Sequence, residues 1–410
     1  MKNTQTSATQ LSPYAWLIVG LLWIVAFLNY LDRILITSMR DPIVADFGLS
    51  DAQFGLLTSV FLWSYGVLSP FGGYFADRYS RKMVIVFSVF IWSAVTLWTG
   101  YASSFSEMLA ARLLMGISEA CYIPAALALI TDYHRGRTRS LATGLHMTGL
   151  YAGLALGGLG GYIAEAYGWR AGFHIFGAIG IVYALILAYF LKDNKTAGEE
   201  QPEEGADSVS IGGALSNLFS ARSFYLLLFY FAVLGMVNWL VYGWLPTFLK
   251  EHFSLDLGEA GISATGYIQL GSFAGVLLGG FLADRWTARN PRGRLYMVII
   301  GFTIGAPFLY LMASTGVFAV AIVAMLFFGL ARGFNDANLM PILRQVADGR
   351  YVATGYGFLN FLSTIVGGLM VYAGGALKDA KVDLSVVYQL SALAMLLATW
   401  VLFAVKIKRD

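Results

Sequence analysis

The chain has 410 residues, 58% of them hydrophobic and only 12% charged, with a net charge of +3 and a mean hydropathy of +0.67. A soluble protein of this length needs more charge to cover its surface, so a membrane protein is the class that fits; the small net charge gives no reason to expect a nucleic-acid partner. Glycine is abundant (46) and proline scarce (9), a balance that suits closely packed membrane helices and neither collagen nor a disordered chain.

Residues 1–13 are polar and lead into an apolar run without a small-residue cleavage site, so a first transmembrane helix is expected there and not a removable signal. Runs long enough to cross a bilayer then recur at 14–36, 54–75, 83–101, 107–130, 140–163 and 171–191. After a polar linker they resume at 224–249, 260–282, 295–312, 317–343, 352–372 and 384–405, which makes twelve spans. The break between the two sets, 192–223, holds the acidic stretch KDNKTAGEEQPEEGADS, which is able to remain disordered. The expected organisation is an all-α membrane protein of twelve transmembrane helices in two pseudo-symmetric six-helix bundles. Residues 1–191 form the first bundle, 192–222 a cytoplasmic interdomain loop, and 223–410 the second bundle.

Basic residues alternate between the breaks. Arg78, Arg81 and Lys82, then Arg135, Arg137 and Arg139, then Arg285, Arg289, Arg292 and Arg294, and finally Lys406, Lys408 and Arg409 fall on one side; Arg40, Lys250, Lys378 and Lys381 account for most of the other. The positive-inside rule therefore predicts both termini in the cytoplasm, in agreement with an even number of spans.

The two halves repeat each other. Residues 72–78 read GGYFADR and residues 279–285 read GGFLADR, each at the end of the second span of its half. GISEACYIP at 116–124 aligns without a gap with GFNDANLMP at 333–341, which sets Glu119 opposite Asp336. Internal repeats of six helices place a substrate site between the halves, near the bilayer midplane.

A charge within the hydrocarbon zone costs roughly 2.5–3.5 kcal/mol unless it is paired or wetted, so intramembrane charges are the best functional clues. On the first span Asn29, Tyr30 and Arg33 share roughly one face, and Arg33 is a candidate to clasp a carboxylate through two parallel hydrogen bonds. Asp32 points about 100° away, toward a neighbouring helix. The competing reading leaves Asp32 and Arg33 solvated near the extracellular end. On the fourth span Arg112 and Glu119 lie about two turns apart on one face; a glutamate whose arginine contact changes between conformations can release and regain a proton. The alternative is a static ion pair.

In the second half Arg332 and Asp336 are spaced to pair on the tenth span, flanked by Asn335 and Asn338. Together with Asn238 and Asn360 they are candidates to bind substrate hydroxyls, the bland reading being a self-satisfied polar patch between helices. His146 is the histidine within a span body and could join a proton path; His134, His174 and His252 are given no role. Gly153, Gly157 and Gly161 form a small-residue stripe for close helix packing. Cys121, the single cysteine, is expected to be a packing residue. Asp77, Arg78 and Arg81, with their repeats Asp284 and Arg285, are candidate gating residues: contacts across the halves would hold one state and break in the other.

Gly73-x-x-x-Asp77-Arg78-x-x-Arg81-Lys82 resembles the cytoplasmic loop signature of the major facilitator superfamily, with Ser80 where glycine is usual. Asn29-Tyr30-x-Asp32-Arg33, Arg112-x-x-x-Gly116-x-x-Glu119-Ala120 and Trp244-Leu245-Pro246-Thr247-Phe248-Leu249 together resemble the anion:cation symporters. The first two of these motifs are also similar to spinster-type lysolipid transporters. The resemblance implies that Glu119 carries the proton, that Tyr65 lines the site, and that the protein is a monomer in a bacterial inner membrane. It implies proton-coupled symport of a small organic anion such as a hexuronate or hexonate by alternating access. The alternative is a spinster-like lysolipid or drug exporter. The chain departs from the sugar-acid branch in reading His146-Met147-Thr148 where a polar amide is common, and in its Arg332–Asp336 pair. Gly157-Gly158 stands where drug antiporters show a glycine–proline step. Metal spacing, a nucleotide loop and a nucleophile–histidine–acid set are not found, so neither cofactor nor enzyme activity is expected.

Overall fold

A computed structural model describes residues 13–134, 138–194, 211–348 and 351–407. The basic residues Arg135, Arg137, Lys408 and Arg409, most of the acidic stretch, and the side chain of Asp77 lie outside the described residues.

The described chain is helical throughout. α1 (Pro13–Leu35) continues through a tight turn at Ile36–Met39 into α2 (Arg40–Phe47), and α3 (Asp51–Arg78) and α4 (Arg81–Thr99) follow. The fourth span is two helices, α5 (Phe105–Glu119) and α6 (Tyr122–Tyr133), and so is the fifth, α7 (Arg139–Leu156) and α8 (Gly160–Tyr167); α9 (Trp169–Phe190) completes the half. After α10 (Ile211–Ser220) the second half is built from α11 (Arg222–Phe253), α12 (Leu257–Thr287), α13 (Gly293–Ser314), α14 (Phe318–Val346), α15 (Val352–Asp379) and α16 (Leu384–Val401).

Eleven helices among the described residues are long and apolar enough to cross a membrane. The twelfth predicted span, 140–163, is the exception: it is rich in glycine and carries His146, so it is less apolar than the others, and a 3₁₀ turn at Gly157–Leu159 interrupts it. The interdomain loop differs too: its last part folds as α10, an apolar helix outside the acidic run.

Local chemistry explains the boundaries. Ser50 and Gln53 form a reciprocal capping box at the start of α3, and the Ser104 hydroxyl accepts the Glu107 N–H at the start of α5. Gly48 ends α2 in the left-handed conformation that glycine adopts without a Cβ penalty. The Asp193 carboxylate, just beyond α9, accepts the Lys82 N–H at 2.9 Å and so holds the start of α4 to the end of its own half.

The halves meet along α3 against α15 and along α7–α8 against α12. Small residues bring the backbones together. A Cβ on Gly161 would lie 2.4 Å from the Leu257 carbonyl oxygen, and one on Gly375 would lie 2.2 Å from that of Asp51. The predicted stripe on the fifth span is two-sided: Gly153 and Gly157 press on Phe27 and Ile34 of α1, whereas Gly161 presses on α12.

Candidate functional site

The break in the fourth span falls directly after Glu119, the last residue of α5, and Gly72 of the repeated GGYFADR segment packs its backbone on the Ala120 carbonyl there. Helix interruptions of this kind are tolerated at membrane depth where protein surrounds them. The break sets Glu119 against α1. Arg33 Nε donates to Glu119 Oε2 at 2.6 Å, with side-chain exposures of 2% and 0%. The Arg33 guanidinium also lies over three rings, Tyr65 at 4.3 Å, Tyr30 at 4.6 Å and Phe61 at 5.3 Å, while its Nη2 has no hydrogen-bond partner. Tyr65 is thus placed at the same arginine, and Asn29 is buried beside it on α1.

Arg112 differs from the simplest expectation. It is fully buried but makes no ion pair with Glu119; its Nε donates to the Leu57 carbonyl at 3.3 Å and its guanidinium covers the Phe61 ring at 4.8 Å. Same-face spacing on a straight helix suggested the pairing, but the long side chain turns toward α3. Asp32 is buried on the far side of α1, where the Thr96 hydroxyl of α4 donates to it at 3.5 Å and its Oδ1 has no partner. His146 is buried edge-on to Tyr122, and no ion pair reaches it among the described residues.

The second half brings its own charged group to the interface. Arg332 Nε stands 3.8 Å from Asp336 Oδ2, a looser pair than Arg33–Glu119, and the Arg332 guanidinium lies 5.0 Å over Tyr242. Asn335 donates to Asp336 at 3.3 Å and accepts from Tyr230 at 2.9 Å. Tyr151 of the first half donates across the interface to Asp336 at 3.3 Å. Tyr30 is within electrostatic reach of both Arg33 and Arg332, and Tyr356 of Tyr30, Tyr65 and Asp336; Tyr30 and Tyr242 also pack on the same apolar cluster of Ile34 and Leu154, so tyrosines link the two arginines into one group. Asn338 is not part of it: it accepts from Arg294 at 3.2 Å and donates to the Phe334 carbonyl at 2.8 Å. Asn238 and Asn360 are half-buried on α11 and α15 and are not drawn into the Arg332–Asp336 group.

Tyr151, Tyr242, Tyr356 and Gln269, which donates to the Tyr242 hydroxyl at 2.9 Å, were not foreseen. Neutral residues carry no insertion cost of the kind that marks a buried charge, so only their position on faces of α7, α11, α12 and α15 reveals them.

The expected gating residues whose side chains are described, Arg78, Arg81, Asp284 and Arg285, sit at the loop-signature end without a described ion pair across the halves. Arg78 and Arg285 are exposed, Arg81 pairs with Asp132 within the first half, and Asp284 pairs with Arg294 within the second. At the opposite end two of the described ion pairs cross: Lys250 of α11 with Asp41 of α2, and Lys378 of α15 with Asp51 of α3 at 3.7 Å. Arg40 binds Asp51 from its own half, and Asp379 accepts the Asp51 and Ala52 N–H groups at 2.9 Å each.

Known proteins agree with this architecture. The chain is 28% identical to a probable sulfoacetate transporter of Cupriavidus necator over 88% of each chain. It is 27% identical to a probable L-galactonate transporter of Escherichia coli over 88% of this chain and 82% of that protein. Its fold matches the crystal structure of a bacterial homologue of the human lysosomal transporter Spinster, described as inward-facing and unoccupied, with a TM-score of 0.79, 23% identity and 96% of both chains covered. The model of the Major Facilitator Superfamily spans residues 22–371. The chain is a multi-pass membrane transporter, not an enzyme, and belongs to the Major Facilitator Superfamily.

Proposed function

We propose that this protein is a proton-coupled symporter of a small organic anion of the sugar-acid type, acting as a monomer in the bacterial inner membrane with both termini cytoplasmic. The observation that carries the reading is the buried Arg33–Glu119 pair, whose guanidinium lies over Tyr30 and Tyr65 and keeps one nitrogen without a hydrogen-bond partner. Protonation of Glu119 removes its charge and frees the Arg33 fork for a substrate carboxylate. The anion then replaces the charge that the proton cancelled, so proton and anion load together and leave together. Asp32 is the second carboxylate on the proton route, and Arg112, held against α3, keeps the local field positive. Arg332, Asp336 and Asn335 meet the hydroxyl end of the substrate. The Cupriavidus necator and Escherichia coli relatives are named for small organic anions, which supports this class.

The basic breaks set the loop-signature end in the cytoplasm, so the crossing ion pairs at the other end correspond to an inward-facing state. Alternating access exchanges those contacts for contacts of Asp77, Arg78, Arg81, Asp284 and Arg285 across the halves.

A second reading, export of a lysolipid, draws on the four aromatic rings under the two arginines, Tyr30, Phe61, Tyr65 and Tyr242, and on the likeness in fold to the spinster homologue. The test is uptake of labelled glucuronate and galactonate into proteoliposomes with an imposed inward proton gradient and an internal pH dye. Gradient-driven accumulation with dye acidification is expected. Folded protein that moves neither acid, yet moves lysophospholipid, would reject the first reading in favour of the second.

A further inference from the structure

A cavity of about 840 Å³ opens in the second half at the loop-signature end, far from the central site, lined by Arg222, Arg292, Lys406, Asn290, Ser223 and Phe403 among others. Among the described residues no acidic side chain lines it. Arg222 begins the α11 span, Gly293 begins the α13 span, and Ala404 ends the last span, so the cavity sits where three spans leave the bilayer. Its walls are mostly apolar, and the charged side chains among its described lining are all positive.

The three cations are held differently. Arg292 is half-buried and fixed, since its Nη2 donates to the Phe403 and Val405 carbonyls at 2.9 and 2.6 Å. The Ser223 hydroxyl ties the Lys406 backbone to α11 by accepting its N–H at 2.9 Å and donating to its carbonyl at 3.0 Å. The Arg222 and Lys406 side chains are exposed, and no described carboxylate neutralises either. Three like charges converging without a described counter-ion repel one another, and an anion bound from outside relieves that repulsion. The flank of the cavity is greasy: Phe403, Trp400 and Tyr225 are each about half exposed, at 53%, 48% and 51%.

We infer that this cavity binds the phosphate headgroup of an anionic phospholipid in the adjoining leaflet, with Arg222 and Lys406 on the phosphate, Arg292 as the fixed wall, and Phe403 against the acyl chains. Basic pockets between helices at a membrane surface suit such headgroups, and a guanidinium offers the forked donor that a phosphate accepts. The inference rests on the membrane fold and not on the substrate, so it stands or falls independently of the transport reading.

The experiment is native mass spectrometry of the full chain in detergent, titrated with phosphatidylglycerol, phosphatidylcholine or water-soluble glycerol phosphate. Wild-type protein should retain phosphatidylglycerol about tenfold more than phosphatidylcholine, and Arg222→Gln/Lys406→Gln should lose that preference. Arg139→Gln/Arg344→Gln removes the same charge at exposed positions away from the cavity and should keep it. Equal loss in both double variants, or no preference in the wild type, overturns the site. Displacement of bound lipid by an equal concentration of glycerol phosphate overturns the lipid assignment in favour of a free phosphate ester.

Discussion

Arg33 and Glu119 meet at 2.6 Å between α1 and the end of α5, so the residue best suited to hold an anionic substrate is also the partner of the residue best suited to carry a proton. A buried ion pair is stable only while both members are charged; removing one leaves the other uncompensated at a cost of about 3–5 kcal/mol. Coupling follows if substrate supplies the missing charge.

Glu119→Gln keeps the shape and removes the proton site. Gradient-driven uptake should fall more than about tenfold, whereas counterflow exchange of substrate across equal pH should persist, because Arg33 remains available. Substrate should also stabilise the variant more than the wild type in thermal unfolding, since it pairs an otherwise orphaned guanidinium. Driven uptake within about twofold of wild type would remove Glu119 from the proton path.

Arg33→Lys keeps the charge and loses the planar fork over Tyr30 and Tyr65. A charge-assisted hydrogen bond contributes about 2 kcal/mol, so KM for the anion should rise roughly thirtyfold in proteoliposome uptake. If KM is unchanged and only the maximal rate falls, Arg33 acts on conformation and not on substrate.

Much of this was legible in the sequence, for reasons that can be named. Span lengths follow from the bilayer, and the repeated GGYFADR and GGFLADR segments mark equivalent places in two halves. Arg33, Glu119, Arg332 and Asp336 stand out because an unpaired charge at that depth is costly. The pairing of Glu119 was less legible: Arg112 shares its helix face, yet the α5–α6 break and the close approach of Gly72 turn Glu119 toward α1. The broken fifth span was also hidden, because apolarity alone does not distinguish a continuous helix from one opened at Gly157–Leu159. Cross-half contacts such as Tyr151–Asp336 depend on how the bundles meet, which no local pattern encodes.

Lys250–Asp41 and Lys378–Asp51 are partly exposed, with side-chain exposures of 34% and 32%, and 20% and 13%. Each is worth about 0.2–1 kcal/mol after solvent screening, so Lys250→Gln/Lys378→Gln should shift the balance toward opening of that end by a few-fold. Spin labels at Tyr167→Cys and Glu259→Cys, with Cys121 replaced by alanine, would report it as growth of a longer distance. Raising the ionic strength should move the wild type the same way, because exposed pairs are screened. An unchanged distance distribution in the double variant would mean that backbone packing alone closes this end.

That packing makes its own prediction. A Cβ on Gly158 would lie 2.2 Å from the Gly261 carbonyl oxygen in the opposite half, so Gly158→Ala forces the fifth span and α12 apart. Overpacking of this kind costs about 1–3 kcal/mol, and here the cost falls on the closed state of one end only, for the contact spans the two halves. The same spin-label pair should therefore report opening, and uptake should fall about fivefold to a hundredfold, in protein that still elutes as a folded species. Gly144→Ala on α7 of the same span, where a Cβ meets nothing within 4 Å, should change neither. Matching losses in both variants would locate the effect in the helix itself; a loss confined to Gly158 makes the seam with Gly261 a moving part of the transport cycle.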